Sequence, residues 1–98
     1  MSGLNFEVVD LTNELGRKTW HEAMEYVNNM NGNYRLPTIV ELVRIYDSIP
    51  RENRASMSYW SSTDDMDEAM LLQMYWGTTG LYDKTFKMYV KAIRDIGA

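Results

Sequence analysis

Tyr34-Arg35-Leu36-Pro37-Thr38, with Glu41-Leu42 just behind, and Tyr59-Trp60-Ser61-Ser62-Thr63 bracket the middle of the chain. Pro37 biases Leu36 toward extended backbone, because the proline ring crowds the helical region of the residue before it. Thr38 then stands as an N-cap with Glu41 three residues on. In such a capping box each side chain satisfies a backbone N–H that the first helical turn leaves unpaired. The planar fork of Arg35 suits a tie between this turn and another loop, through carboxylates or carbonyls. Tyr59-Trp60 reads as an aromatic strand start running into a hydroxyl-rich bend at Ser61-Ser62-Thr63. Both motifs are foremost core architecture, so they speak to fold more than to activity.

Working outward, residues 5–10 read as a first strand, with Phe6 and Val8 on one face and Glu7 and Val9 on the other. Residues 10–17 carry turn and cap residues and form a loop with room for one helical turn. Thr19-Trp20-His21-Glu22 is a second capping box, opening a helix with Trp20, Ala23, Met24, Val27 and Met30 along one face. Asn31-Gly32-Asn33 ends that helix. The spacing predicts the next helix over 38–48, with Leu42, Ile45, Tyr46 and Ile49 inward, and Pro50 stops it. Residues 51–58 form a polar surface loop, and residues 64–68 an acidic loop tip. Met70, Leu72, Met74 and Trp76 alternate with Leu71, Gln73 and Tyr75 as a strand buried on one face and partly on the other. Gly77-Thr78-Thr79-Gly80 reads as a turn, and Asp83-Lys84 as another. Residues 85–94 show the cleanest alternation, with Phe86, Met88, Val90 and Ala92 inward and Lys87, Tyr89 and Lys91 outward.

The order of these motifs carries a resemblance. A helix with Trp20, Ala23 and Met24, then Arg35-Leu36-Pro37-Thr38 with Glu41-Leu42, then Tyr59-Trp60-Ser61-Ser62-Thr63, then Tyr89-Val90-Lys91-Ala92-Ile93-Arg94, resembles the DUF1566 family. That family is also called the Lcl C-terminal domain, after a bacterial collagen-like adhesin. Trp20, Arg35, Leu36, Pro37, Thr38, Glu41, Trp60, Ser61, Ser62 and Arg94 are the structural residues the resemblance marks. It implies a single domain over 1–98 with an α+β, C-type lectin-like fold, in which two helices pack on small twisted antiparallel sheets. It implies no activity, since the family is mostly one of binding and adhesion modules. Formylglycine-generating relatives use a cysteine that this chain lacks, and the sugar-binding triplets of C-type lectins are absent too.

Composition narrows the function further. At 98 residues the chain has room for one modest core. With 3 Trp and 7 Tyr, much of that core or a binding surface must be aromatic. The count of 0 Cys excludes disulfides, zinc–thiolate sites and a cysteine nucleophile, and it points to a reducing, cytoplasmic setting. No signal-peptide pattern opens the sequence, and no apolar run is long enough to span a bilayer. A net charge of −4 disfavours nucleic acid and anionic membranes as partners, and it is compatible with a basic protein.

No catalytic constellation emerges. His21 is the sole histidine, in a helical first turn beside Glu22, with no nucleophile indicated near it. Asp64, Asp65, Asp67 and Glu68 offer hard oxygen ligands but no EF-hand spacing, so they read as a solvated loop, with no metal and no cofactor expected. Gly77–Gly80 lacks the lysine and following helix of a phosphate loop. Among Tyr59, Trp60, Tyr75, Trp76, Tyr82 and Tyr89, the outward members Tyr75, Tyr82 and Tyr89 are candidate partner-binding residues, with the acidic loop as their rim. The expectation is a non-enzymatic intracellular protein-binding module, of the kind a phage or mobile element uses to modulate or inhibit a host factor. The alternatives are a glycan- or ligand-binding module like the adhesin relatives, or a structural subunit of a larger particle.

Overall fold

The computed structural model describes residues 4–96. Strand β1 (Phe6–Asp10) leads through a single helical turn, α1 (Thr12–Leu15), to helix α2 (Trp20–Asn28) and helix α3 (Ile39–Ser48). After a short 3-10 turn at Arg51–Asn53 come strands β2 (Ser58–Asp65), β3 (Glu68–Gln73), β4 (Thr78–Asp83) and β5 (Lys91–Asp95). The protein is therefore α+β. Strands β2, β3 and β4 form an antiparallel meander, and β1 pairs with β5 in a separate antiparallel ribbon.

Both capping boxes form. The Glu22 N–H donates to Thr19 Oγ1 while the Thr19 N–H donates to Glu22 Oε1 at 3.0 Å. Thr38 and Glu41 repeat the exchange, with the Thr38 N–H to Glu41 Oε1 distance at 2.9 Å. The two central motifs also lock one another. The Ser62 N–H donates to the Pro37 carbonyl at 2.7 Å, and Thr63 Oγ1 accepts the Ile39 N–H at 2.9 Å. Ser61 is buried and its hydroxyl donates to the Met70 carbonyl. Arg35 grips Glu41 with two hydrogen bonds of 2.7 Å each and reaches Asp95 at 3.0 Å, so it ties the α3 entry to β5. Arg94 pairs with Glu7 across the ribbon, and its guanidinium lies over the Tyr34 ring.

Two apolar clusters fill the interior, and consecutive strand residues feed them alternately. Trp60, Ala69, Leu71, Val90 and Ala92 join Leu11, Leu36 and the α2 residues Trp20, Ala23 and Val27. Tyr59, Leu72, Met74 and Ile93 join Phe6 and the α3 residues Leu42 and Ile45. Each indole closes the first cluster with a hydrogen bond as well: Trp20 Nε1–H donates to the Ser61 carbonyl and Trp60 Nε1–H to the Lys18 carbonyl.

Several elements differ from the sequence reading. Helix α2 stops at Asn28, where the Asn29 N–H returns to the Glu25 carbonyl, so Met30 lies beyond it. The hydroxyl-rich bend is a strand, since β2 runs through it with a register shift between Trp60 and Asp64. The acidic tip shrinks to a tight turn around Met66, a left-handed residue, with Asp64, Asp65 and Glu68 at the strand ends. Residues read as a turn at Gly77–Gly80 lead into and begin β4. The C-terminal strand is shorter than expected, because the chain turns at 84–86 and then makes only isolated bridges, Lys18 to Met88 and Tyr59 to Tyr89. There Phe86 is 50% exposed, and Lys91, expected outward, is 6% exposed. The Lys91 Nζ lies over the Tyr59 ring, 4.6 Å from its centroid, and reaches Asp10 at 3.2 Å, so the charge is paired at the rim.

Trp60 is fully buried. A Trp60→Ala protein should lose about 3–5 kcal/mol of unfolding free energy in urea titration. A variant melting like the parent would remove this residue from the core. The Arg35 guanidinium holds the Glu41 carboxyl at about 2, down from its ordinary 4.5. Glu41 thus contributes stability that is complete above about pH 4.5 and lost as pH falls through about 2. With Arg35 partly solvated, Glu41→Gln should cost about 0.5–1 kcal/mol at pH 7. That gap should close toward pH 2 in acid-dependent melting; a gap constant with pH would refute the ionic origin.

Candidate binding surface

The meander leaves its last strand outside both clusters. Of the β4 residues, Gly80 is half-buried and the others are exposed. The β3–β4 turn is built to hold its aromatic residue outward. The Trp76 N–H donates to Gln73 Oε1 at 2.8 Å, and the Tyr46 hydroxyl donates to the Trp76 carbonyl at 3.2 Å. Gly77 follows with φ +76, and a Cβ there would stand 2.6 Å from the Tyr46 ring. Only glycine lets the turn close against that tyrosine. Trp76 is left 67% exposed, its indole edge-on to Tyr75 at 4.8 Å. At the far end of β4, Tyr82 and Phe86 lie with ring centroids 6.0 Å apart, both on the surface, and Leu81 is exposed on the opposite face of the strand.

The candidate residues are only partly brought together. Tyr82 is exposed, and Tyr75 is half-buried beside Trp76. Tyr89 is not the outward residue its alternation predicted. It is half-buried in the second cluster, 6.1 Å from the Tyr59 ring, because the irregular chain before β5 turns it against β2. Asp64 is taken by Lys84 at 2.8 Å, and the Lys84 ammonium also sits over the Trp20 ring at 4.1 Å. Asp65, Asp67 and Glu68 are exposed near the C-terminal end of β4. Asp83 joins them, its carboxyl held below the usual range by hydrogen bonds from the Thr85 hydroxyl and N–H. Trp76, Leu81 and Phe86 were missed as surface residues. Trp76 and Phe86 fell on the inward phase of an alternation that stops short of them.

No three acidic or histidine side chains converge on a common point among the described residues. In the β2–β3 hairpin, successive carboxylates leave on opposite faces, so closeness in sequence does not gather oxygens around an ion. His21 is exposed and packs edge-on against Trp20. A wide groove of about 690 Å³ runs beside α2, lined by Leu15, Lys18, Glu22, Tyr26 and Met30. It holds no nucleophile–base pair; the Tyr26 hydroxyl there donates to Glu14. No helix among the described residues is long and apolar enough to cross a membrane. The chain matches no protein-family model and no curated protein sequence.

Adding excess calcium or a chelator should leave the melting temperature unchanged, since a ligand held by the native state alone would raise it by mass action. A calcium-dependent rise of several degrees, lost in Asp65→Asn, would establish a site in the acidic turn.

Proposed function

We propose that this protein is a non-enzymatic binding module that recognises another protein inside a cell, through the β3–β4 hairpin and the acidic turn beside it. One observation carries the reading. Trp76, Leu81, Tyr82 and Phe86 stay between 43% and 67% exposed, and Met66 at the β2–β3 turn is 86% exposed, while Tyr59, Trp60, Ala69, Leu71, Leu72 and Met74 are buried. Tyrosine, tryptophan and phenylalanine supply large apolar contact area and are enriched at interface cores, with tyrosine and tryptophan prominent among hot spots. The carboxylates around them form the charged rim that steers encounter. The cysteine-free composition suits a reducing compartment, and small size with net acidity fits a phage or mobile-element modulator of a host factor.

The C-type lectin-like, DUF1566-type reading stays part of this proposal. Its support is the order of the motifs and the way Pro37 and Ile39 bond to Ser62 and Thr63. In this reading those motifs build the frame, and the recognition surface lies on the strands that follow them.

Affinity capture with the parent protein, repeated with a Tyr82→Ala/Phe86→Ala double variant, tests the surface. Both rings are exposed, so the variant should keep the parent's melting temperature. It should bind the captured partner with at least about 2 kcal/mol less free energy, about a 30-fold weaker dissociation constant. Undiminished binding by a folded double variant would overturn the assignment.

A further inference from the structure

The two outer edges of the meander are treated differently. The outer edge of β2 is closed: the Trp60 N–H donates to the Tyr89 carbonyl, the Tyr89 N–H to the Ser58 carbonyl, and the Ser62 N–H to the Pro37 carbonyl. The outer edge of β4 has no partner strand among the described residues. The hydrogen bond from the Lys84 N–H to the Asp67 carbonyl fixes the phase of the β3–β4 ladder. In antiparallel alternation, Thr78, Gly80 and Tyr82 then turn their backbone groups toward β3. Thr79 and Leu81 turn their N–H and C=O outward, as Asp83 does its N–H. Natural edge strands are guarded by lysine, proline, a bulge or a cover. Thr78-Thr79-Gly80-Leu81-Tyr82-Asp83 has neither lysine nor proline, and its register runs unbroken from Gln73–Thr78 to Glu68–Asp83.

We propose that the β4 edge accepts an added strand: an extended segment of a partner protein carrying lysine or arginine, hydrogen-bonded along Thr79, Leu81 and Asp83. The inference rests on the binding-module reading above and specifies its mode. The charge around the edge selects the occupant. Asp65, Asp67, Glu68 and Asp83 have no cationic partner among the described residues, while Asp64 is already held by Lys84. A basic segment laid along β4 would bring cations to these carboxylates. A second copy paired antiparallel would satisfy the backbone but place each acidic end beside an uncharged one. Side-chain seats exist as well. Gly80 lets the Tyr82 ring lie close over the sheet face, where a Cβ would stand 3.2 Å from it. A shallow groove of about 230 Å³ opens there between Gln73, Thr78, Tyr82 and Met88. An incoming strand lying along β4 would place alternate side chains over this groove, because its residues share the sheet's two-residue period.

The test is titration of the ¹⁵N-labelled protein with a short synthetic peptide alternating lysine and valine, followed by amide shifts. Saturable shifts should centre on Thr79, Leu81 and Asp83. Binding should weaken at least about tenfold when the valine amides are N-methylated, and similarly when glutamate replaces lysine. Leu81→Pro removes an outward N–H at a place where sheet edges tolerate proline, and it should abolish the shifts with little change in melting temperature. Should that variant fail to fold, Leu81→Lys guards the edge instead and should have the same effect. Equal binding of the N-methylated peptide, with shifts at the Trp76 and Tyr82 side chains, would overturn strand addition while leaving the binding surface in place. A titration that moves nothing on the β3–β4 hairpin would overturn both. A concentration-dependent dimer in sedimentation, lost in Leu81→Pro, would give the edge to a second copy and overturn the basic occupant.

Discussion

The backbone of residues 88–93 holds the remaining elements together. Met88 and Lys18 exchange N–H and carbonyl bonds at 2.9 and 2.8 Å, which fixes the approach to α2. Tyr89 bonds to Ser58 and Trp60 on either side of its parallel bridge with β2. The Val90 carbonyl accepts from Leu11, and Ile93 exchanges two bonds of 2.8 Å with Arg35 just ahead of α3. From Lys91 onward the same segment pairs with β1. A buried backbone group left unpaired costs as much as a lost hydrogen bond, so this chain segment has to be threaded among all of its neighbours at once. Its partners lie far away in sequence, which makes the fold depend on non-local closure and slows its formation relative to a helical bundle.

That threading explains how so small a domain supports two apolar clusters. Each strand at the centre has both faces covered, with Tyr59 and Trp60, Leu71 and Leu72, and Ala92 and Ile93 falling to opposite sides. Helix α2 covers one side and α3 the other, and each is fixed at its start by a threonine–glutamate box. With the centre of the meander enclosed in this way, β4 lies beyond what either helix covers. The aromatic residues then divide by position. Those on β2 and at the start of α2 are consumed by packing, and Trp76 on the β3–β4 turn, Tyr82 on β4 and Phe86 after it remain on the surface.

The legible parts of the sequence were those whose meaning is local. Thr19, Glu22, Thr38 and Glu41 announce helix starts because the cap is made within four residues. The inward stripe of α3 at Leu42 and Ile45 was equally plain, and both are buried. Strand β4 was hidden because neither of its faces is packed, so Thr78–Asp83 carries no hydrophobic period, and its two-sided exposure resembles a turn rich in glycine and threonine. Residues 85–90 misled for the converse reason. Phe86 through Ala92 alternate well, yet only the part from Lys91 pairs as a strand. Phase is then lost ahead of it, which put Phe86 on the wrong side and made Tyr89 seem outward. Of the candidate surface, the exposure of Tyr82 and the carboxylates was readable, whereas that of Trp76, Leu81 and Phe86 required knowing where packing ends.

The same architecture bears on how a partner would be held. Binding costs the entropy of whatever it must order, so a surface already fixed in its bound shape gives more affinity per contact. The neighbour of β4 is β3, whose Ala69, Leu71 and Leu72 are all buried. The hairpin between them is pinned by Gly77 against Tyr46 and by the Gln73 side chain on the Trp76 N–H. The outward groups of Thr79 and Leu81 therefore hang on a strand paired along its whole length with β3, whose own register cannot slip without turning Leu72 out of one cluster and Leu71 out of the other. A flexible loop bearing the same aromatics would have to be ordered by each partner in turn. Here the two clusters have already met that cost during folding, and the exposed edge inherits their rigidity.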